Sequence, residues 1–299
     1  MPLKTGKIHF WGVSVYLNCS MKLYFNTGEL EKLAKSKAKE YKSAQPFPHI
    51  AIDNFMDTEP LERVLADFPG PEVKIWKEYE NYFEGKLEAQ GEEKVSDFTS
   101  QLLYQFNSAP FIYFLETLTG IKNLMPDPYF VGGGLHQLKP GGKLGIHADF
   151  NTHGKLPHLS RRINAILYLN KDWKPEYNGD LELWDTDMTR CEVKIAPLFN
   201  RLVVFDVTDY NYHGVPEIIR CPEGMSRKSI GLFYFTVGRP EGEIMPGKKS
   251  TLFLARPGEE IPKGTHFNRD NYDGVKVKKN FNWFIGQILP PFITHLLKK

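Results

Sequence analysis

The amino-acid sequence predicts a mainly β protein with flanking helices, an antiparallel sandwich or barrel of jelly-roll type. Two observations indicate this fold. Short segments in the middle of the chain are rich in β-branched and aromatic residues, and Gly, Pro, Asn or Asp bounds each of them. The predicted strands cover residues 129–138, 144–149, 163–169, 180–184, 191–195, 201–206 and 229–237.

The residues before this region predict helices that support the strands. Residues 29–42 are rich in Lys and Glu, and their apolar side chains recur at helical spacing, which indicates a solvated amphipathic helix. Residues 46–55 predict a strand and residues 59–68 a second helix. Residues 96–120 predict one or two helices, with a possible break at Pro110, packed on the outside of the barrel.

The highly charged and aromatic stretch 72–95 fits two structures. It could be a substrate-facing loop or hairpin, or it could be a solvent-exposed connection. The pattern alone does not decide between them.

The predicted organisation is one domain with two extensions. Residues 1–20 read as an N-terminal extension, because the apolar stretch 8–17 after Lys4 and Lys7 has no Ala-x-Ala-like cleavage site behind it. Residues 21–125 form the support and residues 126–240 the β core.

Residues 241–299 form a C-terminal extension with an apolar end. That end could dock on the domain, lie on a membrane surface or bind a partner, and Pro290 and Pro291 interrupt any continuous helix there.

Composition excludes several classes of protein. The chain has 299 residues, of which 41% are hydrophobic and 25% charged, with a net charge of +2 and no clustered basic stripe, so we expect no nucleic-acid partner. No apolar run is long enough for a transmembrane helix. The three cysteines are widely spaced, which argues against a disulfide framework and favours a reducing, cytoplasmic compartment. The sequence does not indicate an oligomeric state.

A metal site is predicted from His147 and Asp149. Successive side chains of a strand alternate between its faces, so these two point the same way and can bind one ion, while Ala148 points away. His213, just past another predicted strand, supplies a third ligand. Two imidazoles and one carboxylate on one face of an ion suit Fe(II), with the opposite positions open for substrate and oxygen.

Arg227 is predicted to bind an anion. It begins the last strong strand, where a buried guanidinium requires an anionic partner, and a carboxylate matches its geometry best. The alternative is a surface arginine paired with Glu223. Asn164 and Tyr168 share one face of a strand by the same alternation, and Tyr168 could simply be a core aromatic.

These motifs, taken together and in this order, resemble the double-stranded β-helix core of the 2-oxoglutarate and Fe(II)-dependent dioxygenases, specifically the prolyl 4-hydroxylase-like superfamily, over residues 132–237. The matching segments are Gly-Gly-Gly-Leu-His-Gln-Leu-Lys-Pro-Gly-Gly at 132–142, His-Ala-Asp at 147–149, Arg-Arg-Ile-Asn-Ala-Ile-Leu-Tyr-Leu-Asn at 161–170, Gly-Asp-Leu-Glu-Leu-Trp at 179–184, Pro-Leu-Phe-Asn-Arg-Leu-Val-Val-Phe at 197–205, His-Gly at 213–214 and Arg-Lys-Ser at 227–229.

The resemblance implies a cupin-like jelly roll and a specific chemistry. His147, Asp149 and His213 would bind Fe(II), and Arg227 with Tyr168 would hold the distal carboxylate of the cosubstrate 2-oxoglutarate, with Asn164 near the pocket. The enzyme would hydroxylate a C–H bond, in a prolyl or other amino-acid residue of a peptide or protein, and release succinate and carbon dioxide. Ascorbate is a possible reductant.

Three other functions remain open at the level of sequence. The substrate could be a small metabolite or a glycan component, because the resemblance fixes cofactor chemistry better than substrate. The jelly roll could hold a metal without turnover, or support a metal-dependent isomerase or hydrolase. Two histidines of the polar loop after the iron motif, His153 and His158, have no role that the sequence assigns.

Overall fold

The computed structural model describes residues 22–90, 94–240 and 250–265 in full, and the backbone of residues 7–10 and 13–16. The apolar C-terminal end lies outside the described residues. Most of the N-terminal extension does too, although β1 (Lys7–Phe10) and β2 (Val13–Tyr16) pair with each other as an antiparallel hairpin.

The other described elements are four α-helices, one 3-10 helix (Pro175–Tyr177) and thirteen further strands. The helices are α1 (Thr27–Ser43), α2 (Thr58–Ala66), α3 (Asp97–Phe106) and α4 (Ala109–Thr119). The strands are β3 (His49–Ile52), β4 (Lys77–Glu80), β5 (Gly85–Ala89), β6 (Met125–Pro126), β7 (Gly134–Leu138), β8 (Leu144–Ala148), β9 (Leu159–Tyr168), β10 (Leu181–Trp184), β11 (Cys191–Ile195), β12 (Leu202–Asp206), β13 (His213–Val215), β14 (Arg227–Val237) and β15 (Leu252–Phe253).

Two antiparallel sheets form the jelly roll. The major sheet has the order β3-β12-β9-β14-β7-β5-β4, with β6 paired to β14, and the minor sheet has the order β11-β10-β13-β8-β15. The turn between β4 and β5 joins the sheets, because Gly145 donates its amide proton to the Phe83 carbonyl and Gly85 donates to Lys143.

Helix ends follow from local sequence. The Asn26 side chain accepts hydrogen bonds from the amides of Gly28 and Glu29 and so caps the start of α1, and Ser96 caps α3 through the amide of Thr99. Helix α4 ends at Gly120, whose φ of 82° is the left-handed conformation that favours glycine.

The apolar core lies between the helices and the outer face of the major sheet. Phe55, Phe111 and Phe114 from the helical side pack there with alternate residues of β9 and β14. The opposite face of the same sheet is turned toward the minor sheet and carries Asn164, Tyr168 and Arg227, while His147 and His213 lie on the minor sheet.

Several predicted boundaries need correction. The strand predicted over 129–138 begins only at Gly134, because the Asp127 carboxylate accepts the amides of Tyr129 and Val131 and folds residues 127–133 into a turn. The strand predicted over 46–55 is limited to β3. Residues 96–120 form two helices that separate at Asn107 and Ser108, and Pro110 lies in the first turn of α4, where its missing amide proton costs nothing.

The stretch 72–95 contains the hairpin of β4 and β5. Strand β5 pairs with β7, so the hairpin extends the major sheet and is not a free solvent-exposed connection. Within the described residues, no helix has the length and apolarity that a membrane-spanning helix requires.

Candidate active site

A cavity of about 360 Å³ lies between the two sheets. Its walls come from the inner face of the major sheet, the hairpin of β4 and β5, strands β8 and β13 of the minor sheet, and β15 with the residues just before it. Its volume falls at the lower end of the range that small-molecule sites occupy.

The three predicted metal ligands meet at one side of this cavity. His147 and His213 are directly opposite each other on β8 and β13, with ring centroids 4.5 Å apart. The ligand atoms of His147, Asp149 and His213 all lie within 4.8 Å of one another, and all three residues are buried. Strand alternation therefore places His147 and Asp149 on one face, as the sequence predicts.

Hydrogen bonds fix which nitrogen of each imidazole faces the site. His147 Nδ1 lies 2.8 Å from the Gly145 carbonyl oxygen, and His213 Nδ1 lies 3.0 Å from the Asn211 carbonyl oxygen. A carbonyl only accepts, so each Nδ1 carries a proton, and each Nε2 is the nitrogen that faces the site and can offer a lone pair to an ion. Burial lowers the pKa of His147, with His213 acting in the same direction, so its neutral form is favoured.

The carboxylate of Asp149 is held ionised and fixed. Its Oδ2 accepts a 2.7 Å hydrogen bond from Asn164 and lies 3.2 Å from Nη2 of Arg161. Burial opposes the charge, but the Arg161 guanidinium outweighs it and holds the pKa of Asp149 well below its ordinary value. Two neutral imidazoles and one carboxylate are a donor set that fits Fe(II).

Arg161 is a cavity residue that sequence reasoning missed. Its guanidinium lies between two aromatic rings, 4.3 Å from the centroid of Phe150 and 3.4 Å from that of Phe233. Nε and Nη2 donate to Asn164 Oδ1, whereas Nη1 is buried with no hydrogen-bond partner in the described chain. Burial lowers the pKa of Arg161 to about 10, which still leaves it charged at neutral pH.

Arg227 and Tyr168 line the same cavity. Arg227 donates from Nε to the Gly179 carbonyl at 2.6 Å and from Nη2 to the Tyr168 hydroxyl at 3.1 Å. Both side chains are buried, which excludes a surface pairing of Arg227 with Glu223. No carboxylate of the described residues forms an ion pair with Arg227.

Asn164 lines the cavity, as predicted from strand alternation. Its contacts join Arg161 to Asp149, so it stands at the metal end of the cavity and not beside Arg227.

The hairpin supplies a polar wall opposite these groups. Glu88 of β5 is buried beside Lys86, with 3.6 Å between the charged atoms, and it pairs across strands with His136 of β7. Burial lowers the pKa of His136 to about 4, so this imidazole is neutral. Burial also raises the pKa of Tyr79, a further lining residue, to about 12.

His153, left unassigned by the sequence, has a structural position. Its Nδ1 accepts the amides of Lys155 and Leu156 at 3.0 Å each, so Nε2 carries the proton and donates to Asp127 at 3.0 Å. The pair ties the loop after the metal motif to the turn before β7. His158 is exposed.

Comparison with known proteins places this geometry in a family. The sequence model of the 2OG-Fe(II) oxygenase superfamily matches residues 133–235, where 2OG denotes 2-oxoglutarate. These residues contain all three predicted metal ligands and Arg227. The segment is a 2OG-Fe(II) oxygenase domain. The two antiparallel sheets confirm the fold class predicted from sequence, and the match agrees with the predicted enzyme class and pair of cofactors.

Part of this chain also matches a curated protein. This chain is similar to mouse (Mus musculus) prolyl 3-hydroxylase OGFOD1, with 42% identity over 79 residues. The match covers 25% of this chain and only 14% of the mouse protein, so most of that protein has no counterpart in the match.

Solved structures show the same fold at low sequence identity. One is a Trichoplax adhaerens prolyl hydroxylase in complex with a hypoxia inducible factor oxygen degradation domain peptide fragment, with a TM-score of 0.52, 20% identity, and coverage of 70% of this chain and 91% of that chain. Another is a Pseudomonas putida prolyl-4-hydroxylase, with a TM-score of 0.50, 15% identity, and coverage of 69% and 100% respectively.

Proposed function

We propose that this oxygenase hydroxylates a C–H bond of a prolyl or other neutral amino-acid residue in a peptide or protein. His147, Asp149 and His213 hold Fe(II), and Arg227 with Tyr168 holds 2-oxoglutarate. The observation that carries the proposal is the buried Arg227 guanidinium, which lines the cavity of the metal cluster and forms no ion pair with a carboxylate of the described residues.

When bound, Fe(II) and 2-oxoglutarate would activate dioxygen, so that one oxygen atom enters the substrate C–H bond as a hydroxyl group and the other enters succinate, with carbon dioxide released. The side chains provide orientation and charge. Asn164 and Arg161 fix Asp149 through its Oδ2, and the two backbone carbonyls at Gly145 and Asn211 hold the histidines with Nε2 facing the site.

Arg227 and Tyr168 are suited to a carboxylate. The guanidinium is fixed at Nε and Nη2, and the Tyr168 oxygen already accepts from Nη2, so its own proton is available for a ligand oxygen. A guanidinium and a hydroxyl converging in a buried cavity form strong, charge-assisted hydrogen bonds to one carboxylate.

The charges of the cavity favour a neutral substrate. Its described lining carries three cations and three anions at neutral pH: Lys86, Arg161, Arg227, Glu84, Glu88 and Asp149. A divalent metal cation and a 2-oxoglutarate dianion add no net charge, so nothing remains to offset the desolvation of a charged substrate group.

A peptide substrate would supply a hydrogen-bond acceptor that the described cavity lining lacks. Nη1 of Arg161 is a buried donor without a partner, and such groups are expensive to leave unpaired. A backbone carbonyl next to the hydroxylated residue would satisfy it. The similarity to a prolyl 3-hydroxylase supports a prolyl residue.

The first experiment tests the cofactors. The purified full chain is titrated anaerobically with Fe(II) and 2-oxoglutarate, and the visible charge-transfer band of chelated 2-oxoglutarate is recorded in wild type, Arg227→Ala and the control Arg220→Ala, which removes an exposed arginine nearby. We expect a band in wild type and in the control, and a weaker band in Arg227→Ala. Iron binding without a band in wild type would contradict the proposal.

The second experiment tests the substrate class. A pool of proline-containing peptides, the same pool with proline replaced by alanine, and free amino acids are each incubated with the loaded enzyme. We expect succinate release and a mass gain of one oxygen atom with the first pool. Turnover confined to free amino acids would favour the small-metabolite alternative and refute a peptide substrate.

The cellular location and the membrane contact remain predictions from the sequence. The cytoplasmic location rests on the cysteines, of which Cys191 and Cys221 are free thiols in the described part of the chain. Peripheral membrane contact through the C-terminal end concerns residues outside the described ranges.

A further inference from the structure

The cavity is completed by residues that lie beyond the segment matching the oxygenase superfamily. Residues 250–260, here named the C-terminal strap, follow the match that ends at 235. Strand β15 of the strap pairs with β8, which places Phe253 opposite His147, and Leu254 donates its amide proton to the Ile146 carbonyl. The strap therefore runs along the strand that carries the first metal ligand.

Phe253 contacts that ligand directly. Its ring centroid lies 5.4 Å from that of His147, and it stacks on Phe83 with centroids 5.0 Å apart and an angle of 9° between the planes. Phe253 is buried and lines the cavity. The hydrogen bond from Nδ1 to Gly145 fixes the tautomer of His147 but permits the ring to tilt, and the packed face of Phe253 restricts that tilt.

Phe83 is itself held against the backbone of the metal motif. Its carbonyl accepts the Gly145 amide at 2.6 Å, and a Cβ on Gly145 would come within 2.8 Å of the Phe83 ring. Glycine is thus required at 145 for this ring to reach Phe253. The stack of Phe83, Phe253 and His147 links the hairpin turn, the strap and the metal ligand.

Polar contacts clasp the strap in place. The Tyr82 hydroxyl lies 3.1 Å from Glu259 Oε1 and 3.1 Å from the Glu260 carbonyl oxygen. Arg256 forms an ion pair with Glu217 at 2.6 Å, which attaches the strap to the loop after β13. These contacts hold the strap from two sides of the cavity, because Tyr82 lies in the turn between β4 and β5 and Glu217 lies after β13.

We propose that the C-terminal strap is a positioning element of the metal centre, in which Phe253 holds the imidazole of His147 in the orientation that binds the ion. This inference rests on the proposed ligand role of His147. Phe253 itself does not touch the metal or the reacting atoms, and it acts through the histidine. A variant of Phe253 is therefore expected to change metal affinity and metal spectrum, and not only stability.

The test uses Co(II) as a spectroscopic substitute for Fe(II) in the full chain. Affinity and the visible d–d spectrum are measured for wild type, Phe253→Ala, Phe253→Leu and the control Phe55→Leu, which removes an equally buried aromatic from the helical core. We expect Co(II) affinity to fall about 10- to 100-fold in Phe253→Ala and less in Phe253→Leu, with an altered spectrum in both. Phe55→Leu should lower the unfolding free energy alone.

A second variant keeps the test decisive if Phe253→Ala fails to fold. Tyr82→Phe removes only the clasping hydroxyl, and Tyr104→Phe removes an exposed hydroxyl as its control. We expect a several-fold loss of Co(II) affinity in Tyr82→Phe alone.

The outcomes separate the two proposals. Wild-type Co(II) affinity and spectrum that persist in Phe253→Leu and Tyr82→Phe would overturn the positioning role and leave the proposed function intact. Failure of wild type to bind any divalent ion at the three ligands would instead overturn the proposed function.

Discussion

The two faces of the major sheet differ in the chemistry they bury. On β9, Ile163, Ala165 and Leu167 face the helices and belong to a core of apolar side chains. Asn164 and Tyr168, which alternate with them, face the cavity beside other buried polar groups. The outer face therefore provides stability through apolar burial, while the inner face holds polar groups whose full satisfaction requires ligands.

The same division holds on β14. Ile230, Leu232 and Tyr234 pack in the helical core, whereas Ser229 and Phe233 line the cavity. Neighbouring residues thus serve different purposes, and a shift of one residue in strand register would exchange them. Substitutions at adjacent positions should accordingly change different measurable quantities.

The largest effect is expected on the outer face. Leu167→Ala should lower the unfolding free energy by about 2–5 kcal/mol, because it removes fully buried methyl groups and leaves a cavity in the core. Metal affinity of the folded protein should not change. Denaturant unfolding and Co(II) titration check both expectations, with Ile166→Ala, which faces the existing cavity, as the neighbouring control. Equal losses of stability in the two variants would remove the distinction between the faces.

The unfolding free energy of the metal-free protein should depend on pH because of a histidine on the inner face. His136 has a pKa near its ordinary 6.5 when unfolded and about 4 when folded, so the unfolded state binds more protons between these values. Its contribution to stability is complete above pH 6.5 and lost as the pH falls toward 4, up to about 3 kcal/mol, of which about 2 kcal/mol is lost by pH 5.

The difference between wild type and His136→Gln isolates this contribution, because His147 titrates in the same direction in both. Unfolding free energies at pH 7 and pH 5 are compared, with His158→Gln as an exposed control. A pH dependence that His136→Gln shares in full with wild type would show that another group is responsible.

Asn164→Ala should weaken metal binding about 10- to 100-fold, since it removes the 2.7 Å hydrogen bond to Asp149 and the partner of Arg161. Asn170→Ala is the matched control. Asn170 is also a buried asparagine, but its side chain bonds only to backbone groups at Pro197 and Lys228. Co(II) titration of both variants decides the matter, and an equal loss of affinity in the control would indicate a general loss of structure.

Much of this division is predictable from the sequence because it depends on alternation along single strands. The pairing of His147 with Asp149, and the common face of Asn164 and Tyr168, follow from a period of two. Local rules also place α1, the strands β8 to β12 and the strand β14 to within a few residues.

The features that sequence reasoning missed or left open depend on distant contacts. The four residues of β4, Lys-Glu-Tyr-Glu, resemble a solvated segment, and they form a strand because β5 continues a sheet through β7. The two-residue strand β15 has no periodicity to detect. In the sequence alone, Arg161 resembles a loop arginine. Its burial depends on the rings of Phe150 and Phe233, which enclose it in the folded chain. No local pattern encodes these neighbours.

The smallest predicted effect compares two tyrosines on opposite faces of the sheet. Tyr168 and Tyr234 are both fully buried, but the Tyr168 hydroxyl accepts from Arg227 in the cavity, whereas the Tyr234 hydroxyl donates to the Phe106 carbonyl in the core. Tyr168→Phe should raise the Kd for 2-oxoglutarate about 10-fold, the equivalent of one hydrogen bond to a charged ligand, about 1.4 kcal/mol. Tyr234→Phe should lower the unfolding free energy by about 1 kcal/mol and leave that Kd unchanged. Titration of the charge-transfer band measures the Kd in both variants. Equal Kd values in Tyr168→Phe and wild type would remove Tyr168 from the cosubstrate site and return it to the role of a core aromatic, with Arg227 as the remaining anchor.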